Sequence, residues 1–399
     1  MAKAGEENAQ FKLGVMYING QGVEKDFIQA SRWISMAADQ GNEGAQSSLG
    51  SMYSSGMLAD KNYAVAMQWF RKAAEQGNPI AQFNLGNKYA EGQIVSKDLE
   101  QAAFWYRKAG EQGYAIAQQN LGVMYAKGQG VLQDDVHSAF WFGKAAEQGL
   151  VYSQFMIGLL YADGVGVVKD ATKSVFWLSK AADQGDADAQ YNLGIQLYIG
   201  NGIARDYKKA VQRFRSAAEQ GHADSQSNLA SMYEEGKGVL QDYAIAADWY
   251  EKSARQGSVD GQRGLGLLYR DGRGVSKNLV ISYAWLNLAT LGGHQNTKFE
   301  SDDIATKLSV IELKQAKSLQ EEWKVGELIP DDIYQPKIVG RPITVATLKQ
   351  LGNTNFPTKP PKLPGVVSYN TRCTNLTCYR TYDIGKRRYF SVERKCSLK

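Results

Sequence analysis

Histidine, cysteine and proline are scarce in this sequence, and no long hydrophobic run occurs. The three histidines, His137, His222 and His294, lie far apart along the chain. No apolar run approaches the roughly 18 residues of a membrane-spanning helix, so we expect no membrane span. Catalytic and metal sites need clustered reactive side chains, and isolated histidines do not supply a cluster. The sequence therefore favours a non-enzymatic protein with no cofactor and no metal site.

The C-terminal segment from Ile329 differs in composition from the rest of the chain. It holds seven of the eight prolines and all three cysteines, Cys373, Cys378 and Cys396. Cysteines confined to a short tail favour one local disulfide and an oxidising compartment. Metal binding is the alternative, but the tail has no histidine to complete a four-ligand site. We therefore separate residues 329–399 from residues 1–328.

Charge is also uneven. Residues 329–399 carry 13 Lys and Arg against 4 Asp and Glu, a net +9, which leaves −4 for the remainder of a chain of net charge +5. A basic tail can contact nucleic acid or acidic lipid. A solubilising surface or an acidic protein partner is the preferred interpretation, and no nucleic-acid-binding motif accompanies the charge. We expect no nucleic-acid binding.

The tail also carries local structural signals. The run Lys359–Pro364 holds three prolines and cannot be helical, which predicts an extended segment. Two stretches with strand character flank Asp383-Ile384-Gly385 and predict a β-hairpin. Cys396 follows the second strand, within reach of either Cys373 or Cys378. Which cysteines pair is left open.

A repeated phrase organises the residues before the tail. A Leu-Gly pair, or a close variant of it, returns every 36 residues through eight copies without insertion or deletion. The pairs begin at Leu13, Leu49, Leu85, Leu121, Ile157, Leu193, Leu229 and Leu265. A period of this length is typical of solenoids, in which each unit contacts only its neighbours.

Each copy reads as two helices, A and B. In the first copy helix A spans roughly residues 8–19, ends at Gly20 and contains Gly14, whose mid-helix position predicts close approach by a neighbouring helix. Helix B begins after an Asp or Asn N-cap such as Asp26 and contains a recurring tryptophan, replaced in the sixth copy by Arg213. Ser309 and Glu312 predict a capping box that opens a terminal helix running to about Trp323.

The phrases Ala-Gln-x-x-Leu-Gly-x-Met-Tyr-x-x-Gly-x-Gly-Val and Asp-x-x-x-Ala-x-x-Trp-x-x-x-Ala-Ala-x-Gln-Gly resemble the Sel1-like repeat family, relatives of tetratricopeptide repeats. The resemblance covers residue 9 to about residue 293. It implies an all-α, right-handed αα superhelical solenoid that binds other proteins as a scaffold, adaptor or inhibitor. The expected fold is thus eight repeats, a capping helix and a small extended or hairpin tail.

The tail motif from Cys373 to Gly385 is similar to a small module of proteins around bacterial type VI secretion, including lipase effectors and their immunity proteins. The resemblance implies an immunity protein that binds and inhibits a phospholipase-type toxin. The alternative is a general scaffold or adaptor for envelope or secretion machinery. The chain starts almost on its first repeat, which we interpret as a removed leader. We therefore expect a periplasmic location, with a cytoplasmic one as the alternative.

Partner recognition is expected at positions that the repeat does not prescribe. On helix A these are the positions of residues 11, 15 and 18 and their equivalents, which the family resemblance places on the concave wall. Packing between adjacent A helices is the alternative for each residue. The predicted partner-binding residues are Phe11, Phe83, Phe155, Leu159, Tyr191, Ile195, Tyr198, Arg263 and Arg270.

Overall fold

The computed structural model describes residues 2, 5–57, 61–92, 95–294, 297–327 and 329, and the backbone alone of 371–374, 377–384 and 387–393. In this part of the chain, sixteen helices of 13 residues alternate as A and B helices, which confirms the all-α solenoid. They are α1 (Glu7–Asn19), α2 (Phe27–Asp39), α3 (Glu43–Ser55), α4 (Tyr63–Glu75), α5 (Pro79–Glu91), α6 (Leu99–Glu111), α7 (Ala115–Lys127), α8 (Asp135–Glu147), α9 (Val151–Asp163), α10 (Ala171–Asp183), α11 (Ala187–Ile199), α12 (Tyr207–Glu219), α13 (Ala223–Glu235), α14 (Tyr243–Arg255), α15 (Val259–Asp271) and α16 (Leu279–Leu291).

Two further helices follow the last repeat. The predicted terminal helix is α18 (Val310–Glu322), and the reciprocal hydrogen bonds of its capping box join Ser309 and Glu312. The helix before it, α17 (Thr297–Ala305), was not predicted. Two of the three residues that α17 buries are polar, Thr297 and Ser301, so no apolar periodicity announces it in the sequence.

The helix ends confirm the predicted caps. The Asp26 carboxylate accepts hydrogen bonds from the amides of Ile28 and Gln29, both at 2.9 Å. The N-cap side chain of every B helix accepts from its first turn in the same way. Gly20, with φ 72°, ends α1 in the left-handed conformation that glycine adopts without strain.

Close contacts at two glycine positions fix the spacing of the helices. A Cβ added to Gly122, in the middle of α7, would lie 2.8 Å from the ring of Phe142 on α8. One added to Gly130, in the loop after α7, would lie 2.0 Å from the carbonyl oxygen of Leu99 in the preceding repeat. The predicted close approach at the mid-helix glycine is confirmed. The second glycine of the A–B loop is replaced by Leu58 and Ile94 in the second and third copies, which predicts a different loop geometry; both residues fall outside the described part of the chain.

A glutamine pair joins the two helices of at least six repeats. Gln148 follows α8, and its Nε2 donates to Oε1 of Gln118 on α7 at 2.7 Å. Gln118 in turn donates to the carbonyl oxygen of Gly110 at the end of α6, at 2.8 Å. Equivalent side-chain pairs are Gln40–Gln10, Gln76–Gln46, Gln112–Gln82, Gln220–Gln190 and Gln256–Gln226. The glutamines of the repeated phrase thus supply a polar link to the preceding repeat in repeats two to seven.

The chain divides into two compact units, the first with α1–α9 and ending at Lys169, the second with α10–α18 and beginning at Asp170. Ile329, just beyond α18, is buried in the core cluster that contains Trp285 and Leu319. The division predicted at residues 328 and 329 stays a prediction. Among the described helices, none combines the length and the apolar character needed to cross a membrane.

Three strands in the tail, β1 (Thr371–Thr374), β2 (Thr377–Ile384) and β3 (Arg387–Glu393), form a sheet in the order β1-β2-β3. β1 and β2 are antiparallel, with Cys373 opposite Cys378 in register. The predicted hairpin corresponds to β2 and β3. Cys396 lies outside the described residues, so the disulfide stays a prediction.

Candidate partner-binding surface

Three of the predicted partner-binding side chains are buried in the first unit. Phe83, on α5, exposes only 7% of its surface, and Phe155 and Leu159, on α9, expose 5% and 6%. The ring of Phe83 lies 5.0 Å from that of Tyr114 and 5.8 Å from that of Tyr106. Their burial matches the packing alternative and leaves little surface for a partner, so for these three the partner-binding prediction receives no support. Phe11 is partly exposed, but its ring lies against Gly44 of the next repeat.

In the second unit, the predicted aromatic residues contact polar groups. The ring of Tyr191, on α11, stacks on that of His222 with centroids 4.7 Å apart. The hydroxyl of Tyr198 accepts a hydrogen bond from Nζ of Lys237 at 2.7 Å. Ile195 is partly exposed between them on the same helix. These three positions keep accessible surface and stay predicted partner contacts.

The two predicted arginines are both engaged within the chain. Arg263, on α15, makes a bidentate ion pair with Glu300 on α17, at 2.6 and 3.1 Å. Arg270 pairs with the adjacent Asp271 at 2.7 Å. Sequence reasoning missed the first pair because α17 was not predicted.

A polar pocket of about 760 Å³ lies between α13 and α15. Its lining combines hydroxyl, amide, acidic and basic side chains, and more of its surface is polar than apolar. The lining residues are Ser227, Asn228, Ser231, Glu234, Glu235, Lys237, Gln241, Tyr250, Asp260, Arg263, Gly264, Leu267 and Arg273. Of the nine predicted partner-binding residues, Arg263 alone is among them.

Small residues at the variable positions create this pocket. Ser227 and Ser231 occupy the repeat positions that hold Phe155 and Leu159 two copies earlier, where the larger side chains are buried. Gly264 allows the ring of Tyr250 to approach, since a Cβ there would lie 2.4 Å from it. The side chains of α9 thus fill space that the serines of α13 leave open.

Beside the pocket, the N-terminal ends of α11, α13 and α15 carry an acidic row with two histidines. His222 caps α13, and its Nε2 lies 3.3 Å from the carboxylate of Asp188. His294 Nε2 lies 3.8 Å from the carboxylate of Asp260. Burial raises the pKa of Asp186 to about 6, and the charge of Asp188 adds to this rise. The Ala189 amide and the charge of His222 oppose it.

The histidines do not come together into a reactive cluster. His137 contacts the N-cap carboxylate of Asp134 at 2.7 Å, and the other two lie in separate repeats. Within the part of the chain that the structure describes, no three His, Cys, Asp or Glu side chains are arranged to hold a metal ion.

The comparisons with known proteins decide the family. The Sel1 repeat profile matches residues 8–42, 44–78, 79–114, 115–150, 151–186, 187–222, 223–258 and 259–294. The chain belongs to the Sel1 repeat family. No curated protein matches the sequence.

Solved structures include other Sel1 repeat proteins. The crystal structure of c5321, a protective antigen of uropathogenic Escherichia coli strains with an SLR fold, is 38% identical, with a TM-score of 0.72 over 79% of this chain and 68% of that chain. A Sel1 repeat protein from Oxalobacter formigenes is 31% identical, with a TM-score of 0.54 over 76% of this chain and 88% of that one. The immunity protein Pa5087 from Pseudomonas aeruginosa is 21% identical, with a TM-score of 0.31 over 53% of this chain and 81% of that one.

The Sel1 repeats carry a second surface feature that sequence reasoning missed. Phe104 on α6 and Phe140 on α8, in the first unit, expose 46% and 52% of their surface. Each ring packs edge-on against the following tryptophan, Trp105 or Trp141, at 5.0 Å. The signal was available, because a phenylalanine directly before the repeat tryptophan recurs at the 36-residue period.

Proposed function

We propose that this Sel1 repeat solenoid is an immunity protein that binds a phospholipase-type toxin and inhibits it by covering its active site or its membrane-facing surface. The supporting observation is the pocket between α13 and α15, which is formed by residues that the repeat leaves free to vary. Binding energy in protein interfaces concentrates where partner side chains enter pockets, and the ion pairs around this pocket hold its polar groups in place.

Inhibition by occlusion requires no reactive group on the inhibitor. An interface of standard size covers about 800 Å² on each partner, enough to exclude a lipid substrate from an enzyme surface. The A-helix positions flanking the pocket, including Tyr191, Ile195 and Tyr198, extend the available area within the second unit. We therefore place the toxin on this side of the second unit.

A general scaffold or adaptor is the second candidate, and the exposed phenylalanines favour it. Phe104 and Phe140 lie on B helices and expose aromatic surface in a different part of the chain. A protein with two separate contact surfaces is able to hold two partners at once. This candidate predicts binding to secretion or envelope components without any inhibition of a lipase.

The test is to ask whether a neighbouring gene encodes a phospholipase effector, to co-purify that effector with this chain, and to assay its lipase activity on vesicles. We expect a stable complex and loss of lipase activity at equimolar inhibitor. Ser231→Leu fills the pocket, and Ser51→Leu, at the equivalent repeat position on α3, is its matched control. If the unmodified chain forms no complex and causes no inhibition, the immunity proposal is wrong. Binding without inhibition would favour the adaptor.

We also propose a periplasmic location, on the basis of the cysteine-containing tail. An oxidising compartment allows one disulfide among Cys373, Cys378 and Cys396 and leaves one thiol free. Intact mass after alkylation, with and without reductant, counts the free thiols. Three free thiols in protein isolated from its native compartment would argue for the cytoplasmic alternative.

A further inference from the structure

Glu234 stands apart from the other charged residues of the pocket. It lies in the last turn of α13, partly buried, and its carboxylate accepts a hydrogen bond from the Tyr250 hydroxyl at 2.9 Å. Burial, and then the charge of Glu234, raise the pKa of Tyr250, so the phenol stays protonated and donates. Among the described residues, no basic side chain pairs with this carboxylate.

Each basic residue of the pocket already has a carboxylate nearby. Lys237 pairs with Glu235 at 2.5 Å and Arg263 with Glu300 at 2.6 Å. Arg273 lies 3.6 Å from Asp271, a carboxylate that it shares with Arg270. Among the described residues, the Glu234 carboxylate is thus without a basic partner, while each cation of the pocket has an acidic one.

A second carboxylate lies at the other end of the pocket. Asp260 is in the first turn of α15, is 70% exposed at its side chain, and has His294, 3.8 Å away, as its nearest basic group. Asp260 and Glu234 occupy opposite ends of equivalent helices, roughly 15 Å apart along the helix direction at 1.5 Å per residue. An elongated site with an acid at each end suits an extended loop better than a compact small molecule.

The chemistry of the walls supports a protein segment as occupant. Small-molecule sites are mostly apolar with a few polar groups, whereas hydroxyl, amide and charged side chains predominate here. A volume of about 760 Å³ holds several side chains. A partly buried carboxylate that already has one hydrogen bond retains acceptor sites, and an arginine fork satisfies two of them at once.

We propose that the pocket between α13 and α15 receives a loop of the protein partner and that Glu234 binds an arginine or lysine side chain of that loop. The inference rests on the proposed function only in taking a protein as the occupant. It assigns the partner a basic loop and does not require that the partner be a lipase.

The test is a selection of disulfide-cyclised random peptides displayed on phage against the full chain. We expect the enriched peptides to carry arginine or lysine and to bind Glu234→Gln ~10–100-fold more weakly, since a charge-assisted bidentate contact is lost. Glutamine keeps an oxygen to accept from Tyr250, so the fold is preserved. Ser231→Leu, which obstructs the pocket, should reduce binding to a similar extent.

Two matched controls make the result specific. Glu91→Gln removes a carboxylate from the last turn of α5, and Ser51→Leu enlarges the equivalent variable position on α3; neither should change peptide affinity by more than about twofold. Circular dichroism melting of each variant verifies folding. Enrichment of acidic or apolar peptides, insensitivity to Glu234→Gln, or no enrichment at all would overturn the inference.

The two proposals fail separately. Basic peptides that depend on Glu234, combined with no lipase inhibition, would retain the basic-loop site and remove the toxin. Lipase inhibition that survives Glu234→Gln unchanged would retain the immunity function and remove Glu234 as its anchor.

Discussion

The variable positions of the A helices take opposite forms on α9, in the first unit, and on α13, in the second. On α9 they are filled, because Phe155 and Leu159 expose only 5% and 6% of their surface. On α13 the same repeat positions hold Ser227 and Ser231, and a pocket of about 760 Å³ opens beside them. Caps, glycines and glutamine links are shared by both. The difference teaches that the repeated residues build the scaffold, while the variable residues of a helix and its neighbours decide whether these positions are filled or line a pocket.

The largest effect should come from emptying a filled position. Phe155→Ala removes a buried ring from α9, and we expect a loss of about 3–5 kcal/mol in the free energy of unfolding, the usual cost of such a truncation. Ser231→Ala, at a pocket position, should change stability by less than about 0.5 kcal/mol. Urea unfolding followed by circular dichroism measures both. Equal effects at the two sites would erase the distinction between filled and open rows.

A smaller effect should come from the mid-helix glycines of the A helices, such as Gly122, which form a glycine seam against the B helices. Gly122→Ala places a methyl group 2.8 Å from the ring of Phe142, and overpacking of this kind costs about 1–3 kcal/mol. Gly143→Ala, on α8, meets nothing within 4 Å and should stabilise by about 0.5–1 kcal/mol through helix propensity. The second unit already holds Ala230 at the equivalent of Gly122, so the seam there tolerates a methyl group. If Gly122→Ala stabilises, the close approach at the seam is wrong.

The scaffold was predictable because its signals are local. Caps such as Asp26 and terminal glycines such as Gly20 act on their own first or last turn, so a single stretch of sequence reveals them. The 36-residue period adds the order of the helices. The family profile confirms the Sel1 repeats, and the structure confirms the capping box at Ser309.

The site was less predictable because it depends on residues in different repeats. Whether Phe83 is buried is decided by rings such as Tyr106 and Tyr114 on neighbouring elements. Whether Arg263 is free is decided by Glu300, on a helix without an apolar pattern. Sequence position alone therefore singled out large and charged variable residues, while the pocket arises where they are small.

The smallest effect concerns the acidic row at the N-terminal ends of α11, α13 and α15, which has no counterpart on the described A helices of the first unit. Asp186 caps α11 by accepting a hydrogen bond from the Ala189 amide at 2.7 Å. Burial raises the pKa of its carboxyl group to about 6, and the charge of Asp188 adds to the rise, although the Ala189 amide and His222 oppose it. The folded state holds this proton more tightly than the unfolded state, whose pKa is ~4. The resulting contribution to the free energy of unfolding is therefore complete below pH ~4 and is lost as the pH rises to about 6. Asp186→Asn should therefore match the unmodified chain near pH 4 and exceed it above pH 6, by on the order of 1 kcal/mol. Asn42 and Asn78 cap equivalent helices, so the substitution keeps a competent cap. Melting curves from pH 4 to 8 would contradict the assignment if the two proteins stayed parallel throughout.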